Sequence, residues 1–67
     1  MSENELKGQW HRLKGQAKQR WAKITDDDVE RISGKTEELI GALQHRYGKS
    51  REWAEDQVNK WKKETGE

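Results

Sequence analysis

The sequence predicts an all-α fold, a small four-helix domain in which two short helical hairpins pack crosswise. Three observations support this prediction. Proline is absent and no alternating strand pattern exceeds four residues. Apolar residues recur at helical spacing along most of the chain, and residues that favour helix ends separate the periodic segments. Because 67 residues suffice for one domain at most, we expect a single domain over residues 1–67.

The first predicted helix contains the longest periodic segment, residues 6–24. Its apolar residues fall on one face of a helix: Leu6, Trp10, Leu13, Ala17, Trp21 and Ile24. Ser2 with Glu5 three residues later fits a capping box, so this helix should begin near residue 3. The chain is only 28% hydrophobic and 40% charged. Its four tryptophans offset this polarity, since each ring can bury about 150–250 Å².

Three shorter helices follow. Thr25 before the aspartates 26–28 is typical of a helix start, because its hydroxyl and the acids satisfy free N–H groups. The third helix, about residues 35–47, should end at Gly48, and Ser50 should cap the fourth. The predicted inward residues of the three helices are Val29, Ile32, Thr36, Leu39, Ile40, Leu43, Tyr47, Ala54, Val58 and Trp61. Unequal helix lengths favour two crossed hairpins over one long bundle.

Composition excludes several classes of protein. With no cysteine, disulfides and thiolate metal sites are ruled out. No apolar run approaches the roughly 18 residues of a membrane span, and the start of the chain lacks the pattern of a signal peptide, so we expect a cytoplasmic protein. The net charge of +1 is unevenly distributed. Residues 1–24 hold six Lys/Arg against two acids, whereas residues 25–67 hold eight against eleven, giving +4 and −3.

No motif predicts a reaction centre. Gly34-Lys35-Thr36 is similar to the end of a phosphate-binding loop, but Val29 stands where that loop needs a glycine. His11 and His45 are the only histidines and lie in different predicted helices, whereas zinc needs three or four converging ligands. Helix capping accounts for the aspartates 26–28 without a calcium site. We therefore predict no catalytic residues, no cofactor and no metal.

Two further surfaces accompany the core face of the first helix. A basic stripe consists of Lys7, His11, Lys14 and Lys18. Such a stripe could contact phosphates, with tryptophan available for base stacking. Against nucleic-acid binding, Trp10 and Trp21 lie on the core face, and the acidic remainder of the chain offers the stripe an intramolecular partner.

Small residues form the second surface, since Gly8, Gly15 and Ala22 are spaced by seven. A glycine inside a helix costs up to about 1 kcal/mol relative to alanine, so two in one helix are unexpected. One interpretation is that the glycines lower the stability of the helix, which a protein that does not need rigidity tolerates. The other is a stripe against which a helix or a second chain can lie closely. The sequence does not decide between them.

Several blocks of sequence are similar to those of a known family. They are E-L-K-G-x-W at residues 5–10, L-K-G-x-A-K at 13–18, W-x-K-I-T-D-D-D at 21–28, G-K at 34–35, R-Y-G at 46–48 and A-E-x-Q-V at 54–58. The chain in this way resembles the CsbD-like family of small bacterial stress-response proteins. The resemblance implies two crossed helical hairpins, a cytosolic location and abundance under stress, and it brings no catalytic residues or cofactor. Trp53 departs from the family pattern, which has a polar residue there, so Trp53 either widens the core or is an exposed contact site.

The sequence and the resemblance together predict a non-enzymatic general stress-response protein, a hydrophilic helical module for osmotic, desiccation or stationary-phase stress. The alternative is a nucleic-acid-binding module that uses the basic first helix, and a third class is an adaptor that uses Trp53 or the small-residue stripe. The sequence names no partner, and we expect a monomer or weak self-association. The candidate interaction surface comprises Lys7, His11, Lys14, Lys18, Gly8, Gly15 and Trp53.

Overall fold

A computed structural model describes the backbone of residues 2–65 and the side chains of residues 9–65. Its helices are α1 (Ser2–Arg20), α2 (Asp26–Ile32), α3 (Thr36–Tyr47) and α4 (Arg51–Glu64), and none of the residues described is in a strand. Helix α3 contacts each of the other three helices. The predicted all-α, four-helix fold class is confirmed. The predicted capping box at Ser2 and Glu5, and the core position of Leu6, lie outside the described side chains.

Helix α1 ends four residues before the last apolar position of its periodic segment. The prediction that one helix presents all six apolar residues is therefore wrong at its end. The amide of Trp21 still donates to the carbonyl of Ala17 at 2.9 Å, and Ile24 then donates to the carbonyl of Trp21 in a turn. Trp21 and Ile24 are nevertheless buried. No helix could continue past Ile24, because Thr25, the N-cap of α2, adopts an extended backbone.

The predicted cap at Thr25 is confirmed and is a reciprocal capping box. Its hydroxyl accepts from the amide of Asp28 at 3.2 Å, and the Asp28 carboxylate accepts from the amide of Thr25 at 3.0 Å. At the other end of α2, Ser33 and Gly34 have φ values of 52° and 82°. These two left-handed residues end the helix after two turns, with Val29 and Ile32 facing the core as predicted.

The predicted ends of α3 and α4 are also confirmed. Gly48 ends α3 with φ at 64°, a backbone conformation that glycine adopts without steric cost, and its amide donates to Gln44 at 2.8 Å. Two residues later, the hydroxyl of Ser50 accepts from the amide of Trp53 at 3.2 Å and so caps α4. The turn between these helices is short, which places α3 and α4 side by side as a hairpin.

Tryptophans join the elements of the core. The buried apolar residues among those described are Trp10, Leu13, Ala17, Trp21, Ile24, Val29, Ile32, Leu39, Ile40, Leu43, Ala54, Val58 and Trp61. The indole N–H of Trp10 donates to the carbonyl of Val29 at 2.9 Å, which fixes α1 to α2. Trp21 meets Trp61 edge to face at 5.2 Å between ring centres and donates to the side chain of Gln57. Trp10 and Trp21 therefore contribute packing together with a satisfied indole N–H.

Candidate functional site

The described part of the basic stripe lies along the side of α1 that faces α2. His11 and Lys18 are exposed and Lys14 is half-buried. The side chain of Lys7 lies outside the described residues. Arg12 stands next to the stripe and donates to the side-chain oxygen of Gln9 at 3.0 Å. The structure thus brings three of the four predicted stripe residues onto one surface.

Acids of α2 are paired with the two lysines of this surface. The ammonium of Lys14 lies 3.8 Å from a carboxylate oxygen of Glu30, and Lys18 donates directly to Asp26. The sequence analysis proposed that acids of the later chain offer the basic helix an intramolecular partner, and these two pairs provide it. Phosphates would compete with Glu30 and Asp26 for the lysines, so nucleic-acid binding is less favourable than the sequence alone indicates.

Gly15 faces open space between the stripe residues. A Cβ atom built on it would have no heavy atom within 4 Å, so no other helix among the residues described lies against it. Ala22 lies in the turn after α1, which means that the small-residue stripe does not continue along one helix as predicted. Gly8 lies outside the described side chains. Packing among the described residues therefore gives no reason for glycine at position 15.

Trp53 packs at the edge of the core. Its ring is half-buried and lies 5.5 Å from the ring of Tyr47, centre to centre, with the two planes tilted by 47°. Tyr47 in turn accepts a hydrogen bond from the amide of Lys23 at 3.4 Å, and the Lys23 ammonium lies 5.2 Å from its ring centre. Of the two roles considered for Trp53, widening the core is the one that this packing supports.

Sequence reasoning missed the ion pair between Asp28 and Arg46. Arg46 donates through Nε and Nη2 to the two oxygens of Asp28, at 2.8 and 3.0 Å. Asp28 is only 2% exposed, and Arg31 reaches the same carboxylate at 3.6 Å. Capping thus accounts for only part of the role of the aspartates 26–28. No local signal predicts this pair, because its members stand 18 positions apart on different helices.

The guanidinium of Arg46 lowers the pKa of Asp28 from 3.8 to about 2, with hydrogen bonds from Thr25 adding to the effect and burial opposing it. The same contact raises the pKa of Arg46 above its usual range. A carboxylate with a depressed pKa stays ionised and bound to its partner at neutral pH. The ion pair between Asp28 and Arg46 therefore holds α2 and α3 together.

The other inter-helix ion pairs lie at the surface. Arg20 of α1 donates to Glu64 of α4, and Arg51 of α4 forms two hydrogen bonds to Glu37 of α3, at 2.7 and 2.8 Å. Among the side chains described, no three His, Asp or Glu residues come together as a metal site would require. Within the same part of the chain, no helix is both long and apolar enough to cross a membrane.

Comparison with known proteins identifies the family. The sequence model described as CsbD-like matches residues 4–56. The UPF0337 protein YjbJ of Escherichia coli O6:H1 is 43% identical over 63 residues, which cover 94% of this chain and 91% of the relative. A UPF0337 protein of Pseudomonas aeruginosa is 47% identical over 58 residues, covering 87% and 89% of the two chains. No solved structure matches significantly. The chain belongs to the CsbD-like family, as the blocks of its sequence predicted.

Proposed function

We propose that this chain is a non-enzymatic, cytoplasmic general stress-response protein, a hydrophilic helical module that remains folded and hydrated when water becomes scarce. Membership of the CsbD-like family supports a role of this kind. The observation that carries the proposal is that charged side chains form ion pairs between helices. Lys14, Lys18, Arg20 and Arg51 each pair with an acid on another helix, and Asp28 binds Arg46.

Such pairs join the helices while leaving a surface of mixed charge. With 40% charged residues and a net charge of only +1, the basic residues of α1 and the acids of the later helices nearly balance, so the chain holds water with little net charge. The tryptophan core supplies the apolar burial that so polar a chain otherwise lacks. The physical role we propose is that of a compact, strongly hydrated solute.

Deletion of the gene tests the proposal. Loss of the protein should lower survival of at least one of three challenges: osmotic upshift, drying and prolonged stationary phase. Complementation with the wild-type chain should restore survival, whereas Leu43→Asp should not, because it places a charge at a fully buried position and unfolds the module. Unaltered survival under all three challenges would refute the proposed role.

The purified protein provides a second test, since a non-enzymatic module should turn over no substrate in broad hydrolase and transferase screens. A turnover that survives further purification and disappears with Leu43→Asp would show an enzyme instead. The stress phenotype and the turnover assay are independent, so each can fail without the other.

Nucleic-acid binding through α1 is the second candidate. The observation that favours it is the charge of residues 9–20, which hold four Lys/Arg and no acid. We rank it second because Lys14 and Lys18 already have acidic partners. Fluorescence anisotropy with duplex and single-stranded DNA at two salt concentrations tests it, because binding to phosphates must weaken steeply as salt rises.

A further inference from the structure

Helices α1 and α2 form an open groove with walls of opposite charge. His11, Lys14 and Lys18 stand on the α1 wall, and Asp26 and Glu30 stand on the α2 wall. Gly15 lies between the walls with no heavy atom within 4 Å of a Cβ position. The groove is therefore accessible beside both lysines, and an extended anionic chain could approach the backbone of α1 closely.

The pairs across this groove are of the kind that a competing anion can displace. The side chains of Lys14 and Lys18 are 36% and 41% exposed, and those of Glu30 and Asp26 are 74% and 80% exposed. Exposed pairs of this kind hold their partners weakly, because water and salt screen the attraction. The lysines can thus exchange an acid of α2 for another anion without unfolding the domain.

Lys14 and Lys18 also stand one helical turn apart, which places their side chains as neighbours along one line. His11 continues that line by a further turn, and within the described residues it forms no ion pair with an acid. Lys14 and Lys18, with Arg12 also lining the groove, match a polymer of regularly spaced negative charges better than a single small ion.

We propose that this groove binds the phosphate backbone of nucleic acid, and that Asp26 and Glu30 act as built-in competitors which keep this binding weak in the resting protein. The inference rests on the second candidate function and names its regulation. The contacts we propose are from the lysines to phosphates, and the buried rings of Trp10 and Trp21 cannot stack on bases. Phosphate contacts carry no sequence information, so duplex DNA of mixed sequence is the probe of choice.

The test removes the competitors and leaves the lysines in place. Asp26→Asn with Glu30→Gln should tighten binding to a labelled duplex about tenfold at 50 mM salt, relative to wild type. The dependence of log affinity on log salt should steepen by about two phosphates, as Lys14 and Lys18 become available. Anisotropy of the full chain with a duplex of mixed sequence measures both quantities.

The matched control is Glu55→Gln with Asp56→Asn on α4. It changes the net charge by the same two units, but these acids pair with Arg51 and Lys60, away from the groove. The control should bind like wild type. Equal tightening in control and test variants would overturn the proposal, because net charge alone would then explain the gain.

A second variant guards against indirect effects. Adding Lys14→Gln and Lys18→Gln to the test variant restores the wild-type net charge and should abolish the gain in affinity. Tryptophan fluorescence confirms that each variant is folded. Equal binding by wild type and test variant would refute the proposed competition by Asp26 and Glu30, but not nucleic-acid binding itself. Absence of binding by all folded variants would overturn both.

Discussion

The ion pair between Asp28 and Arg46 permits the most quantitative prediction. Asp28→Asn removes the charge while keeping a side-chain oxygen that can still accept from the amide of Thr25, so the change removes the ion pair with Arg46 and the longer one with Arg31. Lowering the pKa of Asp28 from 3.8 to about 2 corresponds to about 2 kcal/mol of folding stability, at 1.36 kcal/mol for each pH unit. For a chain of 67 residues, total stability is on the order of 3–10 kcal/mol. The substitution should therefore lower the midpoint of thermal unfolding by about 10 °C.

The pH dependence of this loss has a definite sign. Because the pKa of Asp28 is lower in the folded than in the unfolded state, its contribution is fully present above pH 3.8 and is lost as pH falls through about 2. Wild type and Asp28→Asn should thus differ by about 2 kcal/mol at pH 7 and at pH 5. The difference should shrink between pH 4 and pH 2 and vanish below that range.

Urea unfolding followed by tryptophan fluorescence at pH 7, 5, 3 and 2 measures these differences. Asp27→Asn is the matched control, since Asp27 occupies the same first turn of α2 but is exposed. It should change the free energy of unfolding by less than about 0.5 kcal/mol at pH 7. Two results would refute the reasoning: equal stability of Asp28→Asn and wild type at pH 7, or an undiminished difference at pH 2.

Four further predictions concern single positions, and chemical denaturation measures each of them. Gly15→Ala should stabilise the protein by about 0.5–1 kcal/mol, because the added Cβ meets open space. Gly48→Ala should destabilise it by about 1 kcal/mol, because φ at position 48 is 64°. A stabilising effect of Gly48→Ala would contradict the role of Gly48 in ending α3. Trp10→Phe should cost about 1 kcal/mol, since it removes the indole hydrogen bond to the carbonyl of Val29, which keeps only the longer bond from the amide of Ser33 at 3.4 Å. A neutral effect would exclude a stabilising role for the indole hydrogen bond. Trp53→Ala should cost about 1–2 kcal/mol through lost packing at the edge of the core; unchanged stability would instead favour Trp53 as a contact site for another molecule.

Features set by neighbouring residues could be predicted from the sequence. The caps at Thr25 and Ser50 and the left-handed Gly48 depend on atoms within three or four residues, so the sequence contains nearly all the information that determines them. The inward positions of α2, α3 and α4 follow from helical spacing for the same reason, although Thr36 and Tyr47 are only half-buried. Helical spacing does not reveal where a helix ends, however. Trp21 and Ile24 keep the spacing of α1 although they lie in the following turn.

Features that depend on tertiary contact could not be predicted. Arg46 meets Asp28 only because α2 and α3 pack together, and Trp53 meets Tyr47 only because the turn at Gly48 folds α4 back onto α3. The candidate site shows the same limit. The sequence indicates a basic stripe and acids to balance it. Only the fold shows which acids are the partners: Glu30 pairs with Lys14, and Asp26 pairs with Lys18.

The Asp28–Arg46 pair also connects the family resemblance with the fold. It joins the Thr-Asp-Asp-Asp block to the Arg-Tyr-Gly block, two of the blocks that carry the resemblance. Within the second block, Tyr47 accepts from the amide of Lys23 and Gly48 ends α3. Residues that close the fold need not contact any partner. Any activity particular to this chain should therefore be sought on the groove between α1 and α2, where the charges are exposed and exchangeable.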